Sequence, residues 1–225
     1  VRSDVERPAV KSDLELRADV ERELEWEPSV NAAAIGVAVK DGVVTLTGEV
    51  SSYVEKWQAV KAAERVQGVR AVADEIVVRL PDDHTRTDTD IARAAAMALE
   101  WDTNVPDTVT VTVEKGYVTL HGEVEWEFQR QAAERAVRSL MGVKGINNLI
   151  ILKPRVSTTE VKAKILAALS RQAALDARHI EVETHDGTVV LKGHAHSRYE
   201  AEAAARAAWA TPGVRKVENR IEVVP

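Results

Sequence analysis

One unit is written three times along this chain of 225 residues. Gly42, Gly116 and Gly187 each open the same short alternation: Asp41-Gly42-Val43-Val44-Thr45-Leu46-Thr47-Gly48, Lys115-Gly116-Tyr117-Val118-Thr119-Leu120-His121-Gly122, and Asp186-Gly187-Thr188-Val189-Val190-Leu191-Lys192-Gly193. A Gly-Val pair follows each at a fixed interval, at Gly68-Val69, Gly142-Val143 and Gly213-Val214, and Asp74, Asn148 or Asn219 comes six residues after that glycine. A repeat of this kind overrides any domain count drawn from length. It divides the chain into a tail at 1–10 and modules at 11–80, 81–153 and 154–225, each near the lower size limit for a self-supporting core.

Every module reads helix, strand, turn, strand, helix, strand. Ser12, Thr87 and Ser157 stand where helix caps belong, with Glu15, Asp90 and Glu160 three residues on, the spacing that satisfies free first-turn amides. Leu16, Val20 and Leu24 recur at helical spacing, as do Ile91, Ala95 and Leu99, and Val161, Ile165 and Leu169. That is one buried stripe per helix. The alternation Ile35, Val37, Val39 then predicts a half-buried strand. Asp41-Gly42 suits a two-residue hairpin, since glycine accepts positive φ. Pairing across it sets Val39 against Val44 and Val37 against Leu46; the second copy sets Val113 against Val118 and Val111 against Leu120; the third sets Thr184 against Val189 and Val182 against Leu191. Ala-rich second helices are expected near 52–67, 126–141 and 197–211, stopping at Gly68, Gly142 and Gly213. A last strand follows each, parallel to its partner. The expected fold is α+β: three tandem αββαβ modules, each a three-stranded mixed sheet with two helices on one face. The strand order and the packing of the modules are open at this point.

The αββαβ order, the D/K-G-x-V-x-L-x-G hairpin, the later Gly-Val and the Asn before the last strand together resemble the BON domain, named for bacterial osmotically inducible and nodulation proteins. The resemblance covers Lys11 to Val224. It maps the family's glycines onto Gly42, Gly48, Gly68, Gly116, Gly122, Gly142, Gly187, Gly193 and Gly213, and its Asn onto Asn148 and Asn219, with Asp74 in the first copy. It implies a non-enzymatic module of stress-linked envelope proteins that binds phospholipid surfaces or hydrophobic partners; some members act as chaperones and one type binds potassium. Here it implies an osmotic- or envelope-stress role, with a holdase-like chaperone or a cation-binding protein as alternatives. No cofactor is expected.

Charge narrows the partners. The net charge is −6, which disfavours nucleic acid. The modules at 11–80 and 81–153 each carry −4, whereas 154–225 carries +2, so only the third would meet an anionic surface. Its Arg198, Tyr199, Arg206, Trp209, Arg215 and Lys216 combine basic and aromatic groups on and just past the second helix, the chemistry of a membrane or partner surface. Trp26 and Trp101 end equivalent first helices; each reads either as a lid or packing contact between units, or as an amphipathic ring for a lipid or partner. Trp57, Trp126 and Trp209 sit on second helices at non-equivalent positions, which suits contacts between copies. His179 faces His194 across the third hairpin and His196 follows on the same side, an arrangement that would suit a divalent metal, although scattered exposed histidines explain it as well. Acidic runs such as Glu21, Glu23, Glu25 and Glu27 read as solvated helix faces, and no nucleophile, Walker or zinc-hydrolase motif occurs. The chain has no cysteine. Its first ten residues lack the apolar run of an export signal, which favours the cytoplasm over the periplasm as the expected location.

Overall fold

The structure, a computed structural model, describes residues 11–153, 161–170, 179–185, 187–211, 214 and 216–224. The first module comprises α1 (Asp13–Trp26), β1 (Ile35–Lys40), β2 (Val43–Val50), α2 (Tyr53–Arg65) and β3 (Ala71–Val78). The second comprises α3 (Asp88–Trp101), β4 (Thr110–Glu114), β5 (Tyr117–His121), β6 (Glu123–Val124), α4 (Glu127–Arg138), β7 (Gly145–Asn148) and β8 (Ile151–Leu152). The third comprises α5 (Val161–Ser170), β9 (Ile180–His185), β10 (Thr188–Ala195), α6 (Arg198–Trp209) and β11 (Lys216–Val223). The α+β reading with three modules holds.

The hairpin sets each sheet. Val37 pairs with Leu46, Val111 with Leu120 and Val182 with Leu191, the registers expected from the turns. The strand after each hairpin turn is central. It runs antiparallel to the strand before the turn and parallel to the last strand, giving orders β1-β2-β3, β4-β5-β7 and β11-β10-β9. Val44, Leu46, Val118, Leu120, Val189 and Leu191 are fully enclosed beneath the helices, with Leu16, Val20, Leu24, Ile91, Leu99, Ile165 and Leu169 opposite them. The second module departs from a plain three-stranded sheet. Its ladder breaks at Gly122, and β6 pairs in parallel with β8 as a separate short continuation.

Two contacts fix the hairpin turns. Asp41 and Lys115 are non-glycine residues at φ 53°, followed by Gly42 at 75° and Gly116 at 83°. The amides of Asp41 and Gly42 donate to the Asp13 carboxylate at 2.9 and 3.1 Å, and those of Lys115 and Gly116 to Asp88 at 2.7 and 2.8 Å. The first residues of α1 and α3 thus clamp the turns of their own modules. At the far end of the hairpin Gly48, Gly122 and Gly193 adopt φ of 117–128°. A Cβ there would lie 2.1, 2.3 and 1.9 Å from the carbonyl oxygens of Ala34, Thr108 and His179. Glycine is required by backbone approach.

The caps of α1 and α3 form as read. The Glu15 amide donates to Ser12 Oγ at 3.3 Å while the Ser12 amide donates to Glu15 Oε2 at 2.8 Å, and the Asp90 amide donates to Thr87 Oγ1 at 3.2 Å. Ser157, Glu160 and Gly213 lie outside the described residues. The second helices are shorter than expected at their C-terminal ends. Gly68 and Gly142 have positive φ of 96° and 89° but sit beyond the helix caps Val66 and Ser139, in the turn leading to the last strand.

The Asp/Asn position lies within the last strand of each module, not before it as expected, because that strand starts earlier than its apolar run, and it ties the strand to the second helix. Asn148 and Asn219 accept from the amides of Ile150 and Ile221 at 3.3 and 3.2 Å and donate to the carbonyls of Arg130 and Ala201 at 3.3 and 2.8 Å. Asp74 accepts from Ile76 in the same way at 3.1 Å but cannot donate. Lys56, which occupies the place of Arg130 and Ala201, lies 3.2 Å from Asp74 and also donates to the Ile76 carbonyl at 2.6 Å. A salt bridge stands in for an amide hydrogen bond.

Candidate functional site

The three second helices meet. α2, α4 and α6 line a shared cleft of about 710 Å³ whose walls include Trp57 and Lys61 from α2, Gln131, Arg135 and Arg138 from α4, and Tyr199, Glu202, Arg206 and Trp209 from α6. Ion pairs and ring contacts cross it. Lys61 donates to Glu202 at 2.8 Å and to Glu64 at 2.7 Å. Burial opposes its charge, but these two carboxylates hold its pKa above the ordinary lysine value. The Arg138 guanidinium lies 3.9 Å from the Trp57 ring centroid, and Arg130 lies 5.5 Å from that of Trp209. Tyr53, at the start of α2, packs on the second module's core, where burial raises its pKa. The Gly68 amide donates across to the His196 carbonyl at 3.0 Å, linking the first and third modules through backbone.

Equivalent positions play different parts in this cleft. Ser52 and Ser197 cap α2 and α6, accepting from the amides of Glu55 and Glu200 at 3.2 Å each. The matching residue before α4 is Trp126, whose side chain supplies no such acceptor; Gln129 accepts instead from the Trp126 amide at 3.0 Å. What Trp126 supplies is an apolar wall. With Phe128 and Trp209 it encloses a smaller cleft of about 310 Å³ adjoining the first, with Glu127 and Arg206 at its edge. The departure from a Ser/Thr/Asp/Asn cap was the one local sequence signal of this wall.

The basic and aromatic residues of the third module are therefore divided. Tyr199, Arg206 and Trp209 face the inter-helix cleft, with Arg206 5.4 Å from the Tyr199 ring centroid. Lys216 starts β11 and is paired with Glu218 at 2.7 Å. Arg198 lies at the start of α6, and Arg215 falls outside the described residues. Of the α6 set, Trp209 meets another module, with Arg130 of α4 over its ring, whereas Arg206 contacts Glu202 and Tyr199 of its own helix. Trp57 and Trp209 likewise sit where copies meet, as their non-equivalence suggested.

Trp26 and Trp101 are not lids. They are 83% and 81% exposed, at matching ends of α1 and α3. Each is followed by a fixed carboxylate. Glu27 accepts from Ser29 Oγ at 2.7 Å, which with Arg65 holds its pKa below the usual range. Asp102 accepts from the Asn104 amide at 2.9 Å, with the same effect. Each ring is thus flanked in sequence by carboxylates, Glu25 and Glu27 or Glu100 and Asp102.

His194 projects from the open face of β10, beside buried Ala195. The β9–β10 ladder ends at Ile180–Gly193, one step short of a His179–His194 pair. Among the described residues no group of three or more His, Cys, Asp or Glu side chains is placed to hold a metal ion. No helix among them is long and apolar enough to cross a membrane.

The BON domain family model matches residues 12–79, 87–154 and 157–225. The chain belongs to the BON domain family. It is 28% identical over 143 residues to osmotically-inducible protein Y of Escherichia coli strain K12, covering 58% of this chain and 69% of that protein. Among solved structures it matches the C-terminal domain of CdsD, a structural protein of the type III secretion system of Chlamydia trachomatis, at 15% identity and TM-score 0.26, covering 96% of this chain and all of that one. The periplasmic domain of PrgH from S. typhimurium matches at 13% identity and TM-score 0.23, over 90% and 99% of the two chains.

Proposed function

We propose that this chain is a non-enzymatic binding protein of osmotic stress that holds hydrophobic partner proteins through its first and second modules. Family membership and the osmotically inducible relative support the stress role. The observation that carries the partner reading is the pair of equivalent tryptophans left more than 80% exposed. An indole buries roughly 150–250 Å² on contact, so leaving two in water forgoes stabilisation that a partner would recover. The charge around them favours a partner over an anionic bilayer. Glu25, Glu27, Glu100 and Asp102 flank the rings, and both modules are net acidic, so a phosphatidylglycerol surface would be repelled at short range. A client with apolar and basic segments suits both features, as in a holdase.

The test compares the chain with a Trp26→Ser/Trp101→Ser variant in suppressing aggregation of a heat-unfolded reporter protein. The expected result is suppression that high salt weakens without abolishing and that the variant loses. Equal suppression by both chains would refute the assignment. Flotation with phosphatidylglycerol vesicles that depended on these two rings would replace the protein partner by lipid.

A further inference from the structure

We infer that the cleft between α2, α4 and α6 is a binding site for a small soluble polyanion of the phosphate type. Lys61, Arg135 and Arg206 are one and the same position in the three copies, by the 74- and 71-residue spacings of the repeat. All three line one cleft. In a chain of net charge −6, this cleft gathers five cationic side chains, Arg65 and Arg138 included, against the carboxylates of Glu127, Glu134 and Glu202.

The cations are unequally neutralised. Lys61 has two carboxylates within 2.8 Å, and Arg65 has Glu23 and Glu27 at 2.9 and 3.1 Å. Arg206 is only 3.9 Å from Glu202, and exposed Arg135 makes no ion pair among the described residues. Two guanidinium groups thus retain charge and donors. Ring contacts hold two guanidinium groups in place: Arg138 lies against Trp57 while donating to Glu134 at 2.7 Å, and Arg206 lies near Tyr199. A guanidinium resting on an aromatic ring keeps its N–H edge for a planar, bidentate anion contact and loses little freedom in making one. Arg138 Nε is moreover buried without an acceptor, a donor that costs free energy until an oxygen meets it. A dianion or trianion fits this group, since one carboxylate would leave the second guanidinium unmatched.

The site contains neither Trp26 nor Trp101, although Arg65 pairs with Glu27 and Arg135 acts on Asp102 beside those rings. Trp26→Ser/Trp101→Ser should therefore leave pyrophosphate binding intact, which keeps this proposal apart from the partner reading. Isothermal titration calorimetry of the full chain with inorganic pyrophosphate at low salt tests it, with Trp57 fluorescence as a second readout. The expected result is saturable binding of one anion per chain, weakened on raising salt and at least tenfold by Arg135→Gln/Arg206→Gln. Both side chains are exposed at the cleft, so the variant is expected to unfold at the wild-type temperature. Lys216→Gln, away from the cleft, should leave binding unchanged. Absent binding, or binding that the double variant leaves intact, would overturn the proposal. So would flotation with phosphatidylglycerol vesicles that depends on Arg135 and Arg206 without any pyrophosphate binding, because the source would then be a lipid headgroup.

Discussion

The hairpins and the second helices treat the repeat in opposite ways. Gly48, Gly122 and Gly193 do the same work in all three modules, each passing beneath a carbonyl oxygen with no room for a Cβ. Along the second helices the matched residues Trp57, Gln131 and Glu202 share no chemistry, yet all three line the same cleft. The repeat therefore keeps what one module needs to close on itself; along the cleft it keeps one cation per copy, at Lys61, Arg135 and Arg206, and varies the positions that meet another module. A threefold-identical set of side chains around the cleft would set like charges against one another, whereas the observed set places Lys61 on Glu202 and Arg138 on Trp57.

Substitutions on the two sides of this contrast should behave differently. Gly48→Ala drives a methyl group into the Ala34 carbonyl at an unfavourable φ and should cost about 3 kcal/mol, read by urea unfolding. Gly122→Ala and Gly193→Ala should match it. A loss under about 1 kcal/mol would mean that the close approach is not what requires glycine. On the assembly side, a double-mutant cycle of Trp57→Ala and Arg138→Ala should show coupling of about 1–2 kcal/mol between the first and second modules. Additive effects would indicate that the ring contact contributes nothing. Asn148→Asp removes the donor to the Arg130 carbonyl and sets a carboxylate near Glu134, 3.3 Å from the present amide nitrogen. About 1–2 kcal/mol should be lost at neutral pH, and Asn148→Asp/Arg130→Lys should recover part of it, since the first module tolerates Asp74 beside Lys56. No recovery would sever the analogy.

The smallest effect concerns pH. Glu27 is held below its ordinary value of 4.5, so its contribution is present above that value and is lost as pH falls through the lowered one. The site is exposed, so Ser29→Ala should cost less than about 0.5 kcal/mol at pH 7. The gap between wild type and variant should close in acid. A gap that persisted in acid would mean that Ser29 acts by packing and not through the carboxylate.

The sequence carried the module far better than the assembly. A period-2 alternation and a Gly turn fix register directly, which is why Val37–Leu46 and its two counterparts were legible. Cap positions were legible because a side chain answers a backbone amide three residues away. Contacts between Trp57 and Arg138, or Lys61 and Glu202, join residues 81 and 141 positions apart, and no local pattern encodes such a pairing. The lid reading of Trp26 and Trp101, one of the two the sequence allowed, fails because apolar character predicts burial only where a surface lies opposite to receive it. Arg206 and Trp209 read as an outward basic helix for the same reason: one helix's sequence does not show that two others will face it.

Everything about the cleft depends on the three modules forming one body. Small-angle X-ray scattering on the full chain tests that directly. A compact chain of 225 residues should give a radius of gyration of about 17 Å, with a single-peaked distance distribution. A value above roughly 22 Å, with a second peak at the spacing of adjacent modules, would mean a string of beads, and the convergence of α2, α4 and α6 would then be wrong.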